Sequence, residues 1–508
     1  MARKDRFKCS AAQCHDLLLV IKSIAQITHV IGFMLLGSIL ISLYFGESQA
    51  IIPLSTLGVA TLGVSQLVYR FIKADCILHL QNTFISMTFA WIVSIGISAV
   101  TFWWLAYTFE GEGSEPLRTF LNALFEGVSA NTSTGLTLVT FPEKLPYTLQ
   151  WLRSFFEWVG GLGLAILVFA FLGNSWSRFA IQESVTVPTL FQVSTKKTIQ
   201  YILSIYTFYT AVIAVLFYIF GMEGWACINY AMGCLSTGGL AISHESFETA
   251  SAALKWVAIV GMLLGSVSFT FHYRIFNWKQ WKHFQENHQH TLYFFILAMG
   301  VLLLLFLPVN QYRIEDIIFQ WVSAVATCGL RVLPVQQMPA YTLFILMFGM
   351  VAGGCMGSTA GGLKMRRLAN IGQMIWNKIS ILNFREKEGG AALGQALSKK
   401  ENLLLRGEAF VRLYKSVILF CLWLFTLFLG WGILIFLLPE FDPFKIGFET
   451  ISALSNVGLS AKIISASSSA AVKWTFMWLM FLGRIEIIPF LATIAAIFPF
   501  SREGRNCQ

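Results

Sequence analysis

Phe125-Glu-Gly-Val-Ser-Ala-Asn-Thr-Ser-Thr-Gly135-Leu136 is a polar, glycine-containing strip set between two long apolar stretches, and it recurs along the chain. It aligns without gaps to Phe448-Glu-Thr-Ile-Ser-Ala-Leu-Ser-Asn-Val-Gly458-Leu459 and to Phe319-Gln-Trp-Val-Ser-Ala-Val-Ala-Thr-Cys-Gly329-Leu330. Phe, Ser, Ala, Gly and Leu keep fixed offsets. A fourth copy is weaker: Asn229 and Gly233 replace the Phe and Ser, while Ser236-Thr-Gly-Gly239-Leu240 keeps the ending. Each copy follows one apolar span and precedes another, so the repeating unit is span, short half-helix, glycine loop, span.

The surrounding composition puts these units in a bilayer. The 508 residues are 56% apolar and only 12% charged, more apolar surface than one or two soluble cores can hide. Spans of about 20 residues or more are expected, at Leu17 to Tyr44, Ile51 to Ile72, Phe84 to Phe109, Trp151 to Leu172, Tyr201 to Phe220, Trp256 to Phe276, Leu292 to Leu307, Tyr341 to Leu363, Val417 to Leu438 and Val472 to Phe498. That makes an all-α integral membrane protein with ten transmembrane helices and four re-entrant loops. The expected division is 1–75 for two extra N-terminal spans, then units 76–198, 199–285, 286–408 and 409–508. The polar, basic start Met1 to Cys14 argues against a cleavable signal peptide. Basic residues gather in alternate loops, at Arg70 and Lys73, Arg178, Lys196, Lys279, Lys364 to Arg367, Lys399 to Lys415 and Arg502, which predicts both termini in the cytoplasm. The net charge of +10 is therefore a topology signal and not a nucleic-acid surface. Nine scattered cysteines form no CxxC pair, so neither a disulfide framework nor a zinc site is expected. His272, His283, His288 and His290 read as the solvated face of a cytoplasmic loop.

Non-helical backbone at membrane depth leaves peptide groups unpaired unless it is buried in protein or lines a watery path. Four such loops point to one path. A glycine at positive φ lets successive carbonyls face the same way, and a ring of carbonyls can replace the water around a dehydrated cation. The half-helix before each loop, such as Phe125 to Asn131, is about two turns long and aims its negative dipole end at the cation. The competing readings are ordinary re-entrant or interfacial turns, or Gly-Leu pairs recurring by chance in a glycine-rich membrane protein.

A second glycine-rich stretch, Gly353-Gly-Cys-Met-Gly-Ser-Thr-Ala-Gly-Gly-Leu-Lys364, interrupts the eighth span. Five glycines and two hydroxyl residues cannot hold a lipid-facing helix, so the stretch is expected to unwind toward an internal cavity. The alternative is a close helix crossing on Gly353, Gly357 and Gly361. Lys364, followed by Arg366 and Arg367, fits that stretch or a plain cytoplasmic anchor. Arg484 lies deep in the last span, where a charge costs at least about 2.5 kcal/mol and faces a cavity or a partner; snorkelling is the alternative. Glu486, two residues on, points elsewhere on the helix. Glu126 and Glu449 in the half-helices either lend negative field or serve as caps.

These motifs together, with Gly483-Arg-Ile-Glu-Ile487 in the closing span, resemble the potassium-translocating subunits of the bacterial Trk and Ktr systems, of the TrkH and TrkG type. The resemblance implies a channel-like potassium uptake subunit of the bacterial inner membrane, not an enzyme, with four units around a pseudo-fourfold pore. It implies a filter of Ser133, Thr134 and Gly135; Thr237, Gly238 and Gly239; Thr327, Cys328 and Gly329; and Asn456, Val457 and Gly458. It implies a gate formed by Gly353, Gly354, Gly357, Ser358, Thr359, Gly361, Gly362 and Lys364, with Arg484 beside it in the pore as an electrostatic barrier or latch. No cofactor is implied beyond the potassium transported. The implied partners are a second copy of the chain, membrane lipid and a TrkA-type nucleotide-binding ring docking on loops such as Asn377 to Arg412. One departure stands out: Arg331 follows Gly329-Leu330 where such filters usually carry a small hydroxyl residue, and it opposes cation approach unless an outer-loop carboxylate pairs with it. A secondary transporter coupled to protons or sodium remains the alternative, although such folds generally use inverted repeats.

Overall fold

The computed structural model describes residues 2–72, 80–109, 111–171, 195–276, 288–306, 312–387 and 408–497, all of whose regular elements are helical. Two long helices open the chain, α1 (Ala2–Tyr44) and α2 (Ile51–Phe71), packed as an antiparallel pair with Gly32 facing Leu62 and Gly58 facing Leu36. The first repeating unit follows as α3 (Leu80–Thr108), the short α4 (Phe120–Asn131) and α5 (Tyr147–Phe171). The carboxylate of Glu47, at the α1–α2 turn, accepts the amides of Tyr147 and Thr148 at 2.7 and 2.8 Å. An acidic group on the free amides of a helix start is favourable, so this contact fastens the N-terminal pair to the first unit.

The other units keep the pattern. The second comprises α6 (Thr195–Ile219), α7 (Gly224–Ser236), α8 (Ala252–Ser266) and α9 (Phe269–Phe276); the third α10 (His288–Phe306), α11 (Ile314–Val325), α12 (Ala340–Ala352) and α13 (Met365–Lys387); the fourth α14 (Glu408–Leu437), α15 (Pro443–Leu454), α16 (Ala470–Ile485) and α17 (Ile487–Ile497). Among the described residues, six helices are long and apolar enough to cross a membrane, or seven when the bent pair α16–α17 counts as one. Each of the ten expected spans contains a helix, but the closing helices of units two, three and four are interrupted where a single helix was expected in units two and four. The α8–α9 break falls at Val267 and Ser268, and α16 turns through 98° into α17 at Glu486. The short helices exceed expectation: α4 is 12 residues long, more than three turns.

Burial runs inside out relative to a soluble protein. Large apolar side chains such as Phe208, Phe344, Phe425, Phe436 and Trp478 are exposed on the outer helices, while Glu126, Glu157, Arg153, Glu449 and Arg484 are buried. Short helices pack at both ends of the sequence order: α5 contacts α7, α8 contacts α11, α12 contacts α15, and α16 returns to α4. The basic residues Lys73, Arg178, Lys279, Lys282, Lys399, Arg502 and Arg505, and most of Asn377 to Arg412, lie outside the described residues.

Candidate functional site

The four short helices end alike. In each, an amide just past the helix, the third residue beyond α4, α11 and α15 and the second beyond α7, bonds back five residues, Thr134 to Ser129, Cys328 to Ser323, Val457 to Ser452 and Gly238 to Gly233, at 2.9 to 3.2 Å. The preceding residue takes a left-handed conformation: Ser133 (φ 49°), Thr237 (52°), Thr327 (53°) and Asn456 (53°). This is the Schellman ending, with a residue bearing a side chain where glycine is usual. Left-handed backbone costs such a residue roughly 1–2 kcal/mol, and it persists because each side chain is tied down. Ser133 Oγ donates to Glu157 O at 3.0 Å, Thr237 Oγ1 to Thr359 Oγ1 at 3.2 Å and Asn456 Nδ2 to Met480 O at 2.8 Å, while Thr327 Oγ1 accepts from Gly361 N at 2.6 Å.

Two residues further on the chain is left-handed again, at Gly135 (φ 85°), Gly239 (77°), Gly329 (84°) and Gly458 (91°). The four loops then close on one another in chain order. A Cβ on Gly135 would stand 2.1 Å from Gly238 O, one on Gly239 2.1 Å from Cys328 O, one on Gly329 2.0 Å from Val457 O, and one on Gly458 2.1 Å from Thr134 O. No side chain fits at any of the four, so glycine is required for its conformation and for the close approach. All twelve expected filter residues lie in these loops, and the thiol of Cys328 is buried packing, 3.7 Å from Gly233 O.

Glu126 and Glu449 are neither free field sources nor caps of their own helices. Glu126 accepts the Leu138 amide at 2.8 Å and the Thr137 hydroxyl, and its other oxygen pairs with Arg153 Nε at 3.3 Å. Glu449 accepts the amides of Ala461, Ile463 and Ile464 at 2.9 to 3.2 Å. Gln320, at the same offset, accepts those of Val332 and Leu333. Each fastens the strand leaving its loop. Sequence reading missed this because the partners are backbone amides a dozen residues away; the recurrence of an acid or amide beside the repeat Phe was the available signal.

The Gly353–Lys364 stretch is not a helix crossing; α12 stops at Ala352 and the chain unwinds until α13. It lies against the ends of the short helices. Thr359 Oγ1 donates to Leu235 O and Gly265 O at 2.9 and 2.8 Å, Gly361 N bonds Thr327, and Gly362 N bonds Ser455 O at 3.0 Å. Gly353, Gly357, Gly362 and Lys364 all have positive φ. A Cβ on Gly354 would lie 2.4 Å from Ala360 Cβ, Ser358 Oγ donates to Cys355 O at 2.6 Å, and the buried Lys364 donates to Ala360 O, which argues against the plain-anchor reading. Arg484 is 3% exposed, so it does not snorkel. It donates to Thr359 O at 2.9 Å and to Gly160 O and Gly161 O at 2.7 and 3.0 Å, joining the stretch to α5. Glu486 pairs instead with Arg367 at 2.5 Å.

Arg331 and the histidines also bear on the expectation. Arg331 does find a loop carboxylate, Glu248, at 3.4 Å, and also donates to His244 O. His272 and His290 are buried and bonded, to Leu264 O and Ser268 Oγ, so the solvated-face reading fails for them; the interrupted α8–α9 packing draws them inward. His288 is exposed and His283 lies outside the described residues. Among the described residues no group of three or more His, Cys, Asp or Glu could hold a metal ion.

An uncharacterized cation transporter of Methanocaldococcus jannaschii is 27% identical over 490 residues, covering 95% of this chain and 96% of that protein. The Trk system potassium uptake protein TrkG of Escherichia coli is 25% identical over 93% of this chain and 98% of its own length. The crystal structure of the potassium transporter TrkH from Vibrio parahaemolyticus superposes with a TM-score of 0.77 at 21% identity, over 94% of this chain and 98% of that one, which speaks to the fold. The family model for TrkH, described as cation transport protein, matches residues 56–310 and 296–502, nearly the whole chain, and on that match the chain is a multi-pass membrane protein belonging to the TrkH family of cation transport proteins.

Proposed function

We propose that this chain carries potassium into a bacterial cell across the inner membrane, through a pore on the common axis of four units, with both termini cytoplasmic. The units are 76–198, 199–285, 286–408 and 409–508, and 1–75 adds two spans. The observation that carries the reading is the closed cycle of loop contacts, Gly135 to Gly238, Gly239 to Cys328, Gly329 to Val457 and Gly458 to Thr134. A closed ring of backbone at alternating left-handed positions offers carbonyls from Ser133–Gly135, Thr237–Gly239, Thr327–Gly329 and Asn456–Gly458 as ligands for a dehydrated cation. Four re-entrant loops related by pseudo-fourfold symmetry are the simplest source of that cycle. The relatives named as potassium uptake proteins supply the ion.

Beneath the ring, Gly353–Lys364 acts as a gate and Arg484 as its latch. The stretch touches the loops of units two, three and four, and through Arg484 it touches α5 of unit one. A segment bonded to all four units at their shared end blocks passage, and its unwound glycines allow it to be displaced. Displacement by a TrkA-type nucleotide-binding ring on the cytoplasmic side, and pairing of two complete pores as a homodimer, complete the proposal.

The test is growth of a potassium-uptake-deficient bacterium on limiting potassium, expressing this chain alone or with a TrkA-type partner, beside Gly135→Ser. Rescue by the parent and loss in the variant at equal membrane level is the expected result. Equal growth of parent and variant rejects the carbonyl ring, and no rescue by an expressed parent with its partner rejects potassium uptake.

A further inference from the structure

Three of the four short helices carry their own fastener for the strand beyond Gly-Leu: Glu126, Gln320 and Glu449. The second copy has Tyr230 at that offset. Its strand is held from another element, because Glu157 of α5 accepts the Leu240 amide at 2.9 Å. One turn earlier on the same helix, Arg153 pairs with Glu126 and donates to Ala241 O at 3.5 Å. A single turn of α5 thus holds both the first and the second loop. Glu157 is fully buried, and its second oxygen, Oε2, has no hydrogen-bond partner among the described residues.

The same side chain accounts for a departure in the repeat. The residue before the ring glycine is Thr134, Cys328 or Val457 in three copies and Gly238 in the second. A Cβ on Gly238 would lie 2.3 Å from both Cγ and Cδ of Glu157, so the glutamate occupies the place that a side chain fills elsewhere. The second loop therefore has two consecutive glycines, the softest backbone of the four, and one buried carboxylate fixing it from behind.

We propose that Glu157 is a positioning residue that sets the selectivity of the pore for dehydrated monovalent cations by holding the carbonyls of Thr237–Gly239 toward the axis. This rests on the potassium-pore reading above. Without the carboxylate, Gly238 is free to rotate and the second loop no longer presents a fixed set of ligands. A ring with one slack quarter relaxes around smaller or hydrated ions and discriminates less.

The experiment measures the potassium-to-sodium permeability ratio of the full chain in proteoliposomes, for the parent, Glu157→Ala and Glu157→Gln. In Glu157→Ala the ratio is expected to fall by about fivefold or more, since the ring loses one ordered segment. Glu157→Gln keeps the volume and an acceptor for Leu240 and recovers most of that ratio. An unchanged ratio in Glu157→Ala, even with a reduced rate, overturns the positioning role and leaves the potassium pore standing. A parent that passes no potassium overturns the pore reading itself. Should Glu157→Ala fail to reach the membrane, Glu157→Asp withdraws the carboxylate by one methylene and is judged by the same ratio.

Discussion

At the scale of single residues, two arginines lie on different sides of the glycine loops and make different contacts. Arg484 gives three hydrogen bonds to carbonyls and is almost wholly buried. A charged hydrogen bond contributes about 1.5–3 kcal/mol, so removing this cation releases the Thr359 carbonyl from α5 and, if Gly353–Lys364 is the proposed gate, shifts it toward displacement by at least about tenfold. Arg484→Ala is expected to raise potassium efflux from proteoliposomes lacking any regulatory partner; a flux equal to the parent's would reject the latch. That Arg484 lies too deep to be a surface charge was legible from its place in an apolar span, but its partners were not, because they are carbonyls of two distant segments. Arg331 works differently: it is partly exposed and paired with Glu248. Its charge is screened on a scale of about 8 Å at physiological salt. Glu248→Gln is expected to lower potassium uptake about two- to threefold at low ionic strength by freeing the arginine's field at the mouth, with the effect fading as salt rises. A decrease that persists at high salt would point away from electrostatics.

Among the helices, interruptions are where sequence and structure part. The glycine-rich break after α12 was legible, since no helix tolerates that composition. The bend at Glu486 falls within one expected span, although Pro489 in the first turn of α17 cannot donate to Ile485 O and so ends a continuous helix there; that a glutamate would take φ 66° at the corner had no signal in the sequence. What stabilises it is tertiary: Arg367, at the start of α13, reaches the Glu486 carboxylate at 2.5 Å. The pair is only partly exposed, 11% and 30% for the two side chains, so it exceeds an open surface ion pair in strength. Arg367 also follows directly on the gate stretch, so the ion pair links the end of that stretch to the end of α16. Arg367→Ala and Glu486→Ala are each expected to lower thermal stability in detergent, and the double variant by less than their sum, with a coupling of about 1 kcal/mol. Strict additivity would mean that the bend is held by packing alone.

Taken as a whole molecule, the chain was most legible where physics forbids the alternative. Polar glycine loops between apolar spans need an internal path, which made the three strong copies readable. The second copy was faint because part of its machinery, Glu157, resides in the preceding unit. The same plan favours the proposed pore over a coupled transporter. A coupled carrier moves a binding site between two faces by rocking one repeat against another. Here the closing helix of each unit packs on the short helix of the next, α16 returning to α4, an arrangement in which rocking one unit would disturb its contacts with both neighbours. On the proposed reading motion falls to the Gly353–Lys364 stretch, and a gate alone imposes no exchange stoichiometry. Potassium flux in proteoliposomes is therefore expected to reverse at a voltage set by the potassium gradient alone. Imposing a proton or sodium gradient at fixed potassium leaves that voltage in place if the four loops form a passive path. A displacement of the reversal voltage with the proton or sodium gradient would establish coupling, and the ring would then have to be part of a moving carrier.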